Sequence, residues 1–154
     1  MKRRRRSQSG NIFVEFAIGS GILVAVFTGT FLFGYNFYRY NTLATAVADG
    51  ARYASLIPYD SSTTTPSAAF LTKVQNMVVY GDPSGTNTTP VAPGLTTSNV
   101  QLAVTFSSST PGKGIPVTMT VYLSNYTLDA VFGKTTYNQK PSVTYIYEGV
   151  YSPF

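Results

Sequence analysis

Residues 12–33 read IFVEFAIGSGILVAVFTGTFLF, an apolar run carrying a single charged side chain, Glu15. As a helix rising about 1.5 Å per residue, the run reaches roughly 33 Å, a little more than the hydrocarbon thickness of a bilayer. The stretch therefore predicts a transmembrane helix. Its flanks give an orientation. Lys2, Arg3, Arg4, Arg5 and Arg6 precede it, and a basic block beside a span keeps that end in the cytoplasm. Tyr35, Phe37, Tyr38 and Tyr40, with Arg39 among them, resemble an aromatic belt at the outer interface. The rest of the chain is then expected outside the cytoplasm. A secretory signal competes with this reading, because Ala44-Thr45-Ala46 has the small-x-small form that signal peptidase cuts. The apolar run is longer than the usual core of such a signal.

Glu15 makes the segment more than an anchor. A carboxylate near the centre of a span costs roughly 2.5 to 3.5 kcal/mol to insert, so it asks for a partner. If a peptidase cuts after Gly10, Asn11 gains a positive α-amine at the membrane face. Glu15 of a neighbouring subunit can neutralise that amine inside an apolar assembly, where opposite buried charges compensate each other. The alternative is a Glu15 close enough to the interface to stay hydrated.

Gly10 followed by Asn11-Ile12-Phe13-Val14-Glu15-Phe16-Ala17-Ile18 resembles the processing site and first helical turns of type IV pilin-like proteins, and of the TadE-like minor pilins in particular. Ala44, Ala46, Ala48, Ala51, Arg52 and Ala54 resemble the alanine-rich continuation and Ala-Arg-x-Ala signature of that family. The chain departs from it at Gly19, Ser20 and Gly21, where many relatives have a proline, and after Pro58 it is similar only in general pattern. The resemblance implies cleavage between Gly10 and Asn11 by a prepilin peptidase, with Glu15 and Phe16 serving assembly. It further implies a minor pilin or pseudopilin of a Tad-type pilus, with a filament built mainly of this protein left open. Arg52 receives a packing or assembly role. The partners implied are other pilin subunits, the peptidase, an inner-membrane assembly platform, and the membrane before assembly. Localisation follows: cytoplasmic membrane as precursor, then a surface pilus or periplasmic pseudopilus, with roles in adhesion or surface colonisation. An uncleaved signal-anchored protein whose head binds a partner or scaffolds an envelope complex is the alternative.

Small residues at Ala17, Gly21, Ala25 and Gly29 recur every four positions, placing them on one helical face where a second helix can approach closely. Glycine weakens a helix in water by about 1 kcal/mol relative to alanine. The stretch from Gly19 to Gly34 is therefore expected to loosen when the subunit leaves lipid, seen as amide exchange faster than in the flanking helix. Equal protection contradicts this.

Charge excludes one class of partner. The chain has eleven basic and six acidic residues, and five of the basic ones are Lys2 to Arg6. Beyond the leader the side-chain charges balance, so the basic pI of about 9.5 belongs mostly to the leader and does not argue for nucleic acid.

Leu43, Val47, Gly50, Ala54 and Ile57 alternate in steps of four and three, which continues the first helix as an amphipathic one until Pro58. Asp49 and Arg52 are spaced to pair on its surface, at a few tenths of a kcal/mol. The expected organisation is a leader at 1–10, a long helix at 11–57 that spans the membrane in its first half, and an α+β head at 58–154. In the head a loop around Ser61 to Pro66 leads to a helix from about Ser67 to Tyr80, with Pro66 in its first turn. Phe70, Leu71, Val74, Met77 and Val78 form its apolar face, and Gly81 stops it. Asp82 to Ser98 reads as a long surface loop with room for motion. Three strands follow by alternation: Val100, Leu102, Val104, Phe106; Ile115, Val117, Met119, Val121, Leu123; and Val143, Tyr145, Tyr147. Pro111, Gly112 and Gly114 fit a hairpin turn. Tyrosines 122, 126, 137, 145, 147 and 151 suggest a sticky outer face, although tyrosine is also an ordinary strand residue.

Catalysis is not expected. The chain has no histidine and no cysteine, which removes the usual zinc ligands, imidazole bases and thiol nucleophiles. No catalytic residue, metal or cofactor is assigned. Pro111-Gly112-Lys113-Gly114 is no phosphate loop, because Ser107 stands where its first glycine belongs and no hydroxyl follows Lys113.

Overall fold

Helix α1 (Ser9–Leu56) runs unbroken for 48 residues in the computed structural model, which describes residues 9–108, 114–130 and 133–153. The basic leader block, Pro111, Gly112 and Lys113 lie outside the described residues. The chain divides into two units between Phe37 and Tyr38, so the later part of α1 belongs to the head. There the predicted stripe is inside: Leu43, Val47, Gly50 and Ala54 are buried, with Ala46 and Ala51 beside them. The helix stops two residues before Pro58, whose ring cannot continue it. Asp49 and Arg52 are both exposed and form no ion pair with each other.

Helix α2 (Ala68–Tyr80) is bounded as its sequence dictates. Ser67 Oγ accepts the Phe70 N–H at 3.1 Å and donates to Asp60 Oδ2 at 2.6 Å, satisfying one orphan donor of the first turn. Pro66 stands before this cap rather than in the first turn, which corrects the sequence reading. Gly81 closes the helix at φ +67°, where glycine pays no Cβ penalty, and donates to Met77 O. Phe70, Val74, Val78 and Val79 are buried, while Leu71 and Met77 are only partly covered. The two helices meet at Gly50. A Cβ there would lie 2.1 Å from Val78 Cγ2, so only hydrogen fits.

Strands β1 (Val100–Phe106), β2 (Pro116–Leu123) and β5 (Ser142–Ile146) form one antiparallel sheet in the order β1-β2-β5. Its register places Val100, Leu102 and Val104 beside Leu123, Val121 and Met119 on the face turned to the core. Ile115 falls just before β2 and is exposed. A second hairpin, β3 (Tyr126–Ala130) with β4 (Gly133–Tyr137), was not expected from the sequence. Only one side of it reads as apolar: Tyr126 and Leu128 are buried, whereas β4 is exposed until Tyr137. Asp129 and Lys134, opposite each other in this ladder, pair at 3.2 Å, an exposed contact of small energetic weight.

The segment from Asp82 to Ser98 is not a free surface loop. Ala92 and Leu95 are buried in the core, Val91 N–H donates to Val79 O at 2.8 Å, and Tyr126 Oη donates to Pro93 O at 2.8 Å. A 3₁₀ turn, Thr97–Asn99, then leads into β1. At its start the Asp82 carboxylate accepts from Thr86 and Ser84 hydroxyls and from backbone N–H groups, and these bonds hold it well below the usual carboxylate range.

Of the six tyrosines expected on an outer face, Tyr145 is exposed and Tyr122 and Tyr151 are half-buried, whereas the other three are placed differently. Tyr126 is buried, Tyr137 stacks on it and lies against Tyr40, and Tyr147 is half-buried. Tyr59 is the hub, fully buried, with Phe70, Phe106 and Tyr147 edge-on around its ring. Its hydroxyl donates to Thr63 O and its N–H to Tyr147 Oη, both at 2.8 Å. Burial pushes the Tyr59 hydroxyl up to about 12, with the neighbouring Asp60 charge adding to it. Burial raises Tyr147 as well. The neutral phenol is thus favoured by folding, so its stabilisation is complete below the unfolded value near 10 and is lost as pH rises through about 12. Thermal unfolding followed against pH is expected to show the head weakening above about pH 10. Tyr59→Phe is expected to flatten that slope.

Candidate functional site

The residues singled out in the sequence, Arg52 apart, lie on the first unit's stretch of α1. Gly10 and Asn11 sit in its first turn, and both are exposed. Glu15 is exposed, and Phe16 shows 73% of its surface. Ala17, Gly21, Ala25 and Gly29 line one exposed face, and a Cβ at Gly21 or Gly29 would meet nothing within 4 Å.

The stretch has the character of a lipid-facing helix. Ile12, Phe13, Val14, Ile18, Ile22, Val24, Phe27, Phe31 and Phe33 are all exposed. Its most apolar 18-residue window has a mean hydropathy of 2.0 with 0% of it buried. Such a surface left in water is strongly unfavourable, at about 25 cal/mol per Å². Two of the hydroxyls it carries are satisfied locally: Ser20 Oγ donates to Ala17 O at 3.0 Å and Thr30 Oγ1 to Val26 O at 2.9 Å. That is what a medium without water requires of a polar side chain. The phenyl and phenol rings of Phe31 and Tyr35, then Phe33 and Phe37, stack four residues apart toward the end of the stretch.

Among the described residues no group of three or more acidic side chains gathers where a cation could be held. What this segment can do is chemically simple. It can cross or line an apolar phase, and it carries one carboxylate a single turn beyond the Gly10–Asn11 bond. Sequence reasoning found it readily because it is linear on one helix. It did not find the open edge of β5 and the cleft beside it, whose recognition requires the strand order.

Residues 10–52 match the family model of TadE-like proteins, which covers α1 as far as Arg52 and stops there. No curated protein and no solved structure matches the chain.

Proposed function

We propose that this chain is a structural subunit of a Tad-type pilus, a minor pilin or pseudopilin rather than an enzyme. It enters the cytoplasmic membrane with its leader inside, is cut between Gly10 and Asn11 by a prepilin peptidase, and leaves the bilayer for the filament through an inner-membrane assembly platform. In the filament Glu15 of one subunit neutralises the Asn11 amine of another. Ala17, Gly21, Ala25 and Gly29 admit a neighbouring helix, and Phe16 packs beside them. The head then serves adhesion or surface colonisation.

One observation carries this reading. A single helix keeps most of its large apolar side chains exposed from Ile12 to Phe37 and then buries one apolar stripe from Leu43 to Ala54. The first part needs an apolar surrounding from outside the subunit, bilayer or filament core, while the second holds the head together. The TadE-like match over the same helix supports it. Cleavage by signal peptidase after Ala46 is disfavoured by the same geometry, because it removes Leu43 from the core in which it is fully buried. Shearing of whole cells tests the proposal. Recovery of the chain with the detached surface filaments is expected, whereas a chain retained entirely in membranes indicates the signal-anchored alternative.

A further inference from the structure

The edge of the main sheet at β5 is open, and we propose that it pairs with β5 of a second copy of this chain. Tyr147 N–H donates to Val117 O at 2.8 Å and Leu123 N–H to Pro141 O at 3.3 Å. These bonds turn the backbones of Pro141, Val143, Tyr145 and Tyr147 toward β2, so Ser142, Thr144 and Ile146 aim their N–H and C=O groups outward. Past that point the edge is closed. Glu148 N–H donates to Ser55 O at 2.9 Å, and Tyr59 bridges to Tyr151. The opposite edge lies beside α2, whose Gln75 Nε2 donates to Val100 O at 3.1 Å. Among the described residues, nothing in the chain bonds the outward backbone of Thr144 or Ile146.

Sheet edges are normally guarded by charge, proline or a bulge. Ser142–Ile146 has none of these, and Ile146 is 70% exposed. Beside it a cleft of about 470 Å³, lined by Arg52, Ser55, Leu56, Tyr145 and Glu148, gives room for the side chains of an added strand.

The sequence around Thr144 is complementary to itself when reversed. Antiparallel pairing centred on Thr144 sets Ser142 opposite Ile146 of the partner subunit and Val143 opposite Tyr145 of the partner subunit. Just past each end of the paired strands, where Ser55 already holds the Glu148 N–H, the exposed side chains of Glu148 and of Lys140 of the partner subunit meet outside the ladder. Opposite charges so placed favour the register, and the two-fold arrangement uses the same patch on both copies. The hydroxyl row already present on this face, Thr120 with Thr144 at 2.7 Å, is extended across the axis. The product is one continuous sheet of six strands, made by the heads and independent of the membrane helix.

The chain has no cysteine, so the register can be read by cross-linking of the full-length protein in detergent. Residues in a directly opposed pair lie at about the Cα separation that a disulfide spans. Thr144→Cys is expected to form a covalent dimer on mild oxidation. Ser142→Cys is expected to stay monomeric, its thiols being offset by roughly 13 Å along the strand. The double substitution Ser142→Cys with Ile146→Cys is expected to link. Glu148→Lys in the Thr144→Cys chain is expected to lower dimer yield roughly tenfold, by setting like charges opposite each other twice. Adding Lys140→Glu to that chain is expected to restore it. No cross-link with Thr144→Cys, or equal cross-linking with Ser142→Cys, overturns the proposal, and neither result bears on release of the chain by shear.

Discussion

Glu15→Ala is expected to leave the chain fully inserted in the membrane while its recovery in sheared filaments falls by about a hundredfold or more. The two effects come from the two surroundings of one carboxylate. In the bilayer Glu15 is the single charged side chain between Ile12 and Phe33, and its removal makes insertion easier, by up to roughly 3 kcal/mol if it lies deep. In the proposed filament core it is the counter-charge of the Asn11 amine. Deleting one member of a buried pair strands the other, at about 3 to 5 kcal/mol, and about 1.4 kcal/mol corresponds to each factor of ten. Glu15→Gln should behave like the alanine variant, since it keeps size and polarity and loses the charge. A signal-anchored protein predicts the opposite pattern, with normal or improved display of the head. Quantifying the chain in the membrane and sheared fractions of cells carrying each variant separates these outcomes.

The second large effect concerns the head alone. Gly50→Leu is expected to lower its melting temperature by roughly 10 °C or more, whereas Gly21→Leu leaves that temperature unchanged. Helix propensity favours both substitutions by about 1 kcal/mol, so propensity cannot distinguish them. Space does. At Gly50 the added Cβ meets Val78 Cγ2 at 2.1 Å, with Val78 Cβ at 3.5 Å and Val74 O at 3.7 Å behind it. Val78 is fully buried in α2 and, being β-branched, has little rotamer freedom in a helix. Overpacking of this kind costs about 1 to 3 kcal/mol for a few methylenes, and a whole isobutyl group belongs at or above the upper end. Gly21 has open space around its Cβ position. Thermal unfolding of the detergent-solubilised chain, followed by tyrosine fluorescence, checks both, and a Gly50→Leu head that melts like the parent refutes the packing described here.

Much of the architecture was legible because it is written in local periodicity. The steps from Leu43 to Ala54 named the buried face of α1, Ser67 and Gly81 marked the ends of α2, and alternation gave the positions of β1, β2 and β5. What escaped lacked such a period. Gly133–Tyr137 has no alternating apolar residues, and only its threonines and tyrosine favour a strand. Ala92 and Leu95 are single apolar residues among prolines and threonines, and their burial is decided by what Tyr126 and Val79 reach across to hold. Tyr126 itself looked like surface because alternation tells which residues share a face and not which face is covered. The N-terminal segment needed no tertiary information. The β5 edge needed all of it, since an edge exists only once the order β1-β2-β5 is known.

The proposed assembly requires processing at Gly10–Asn11 and entry of the following helix into the filament. The most direct measurement is the intact mass and N-terminal sequence of the protein taken from sheared filaments and from membranes. A start at Asn11 is expected in the sheared fraction. A chain found only in membranes and beginning at Met1 or Lys2, or a soluble one beginning after Ala46 or Ala48, contradicts it.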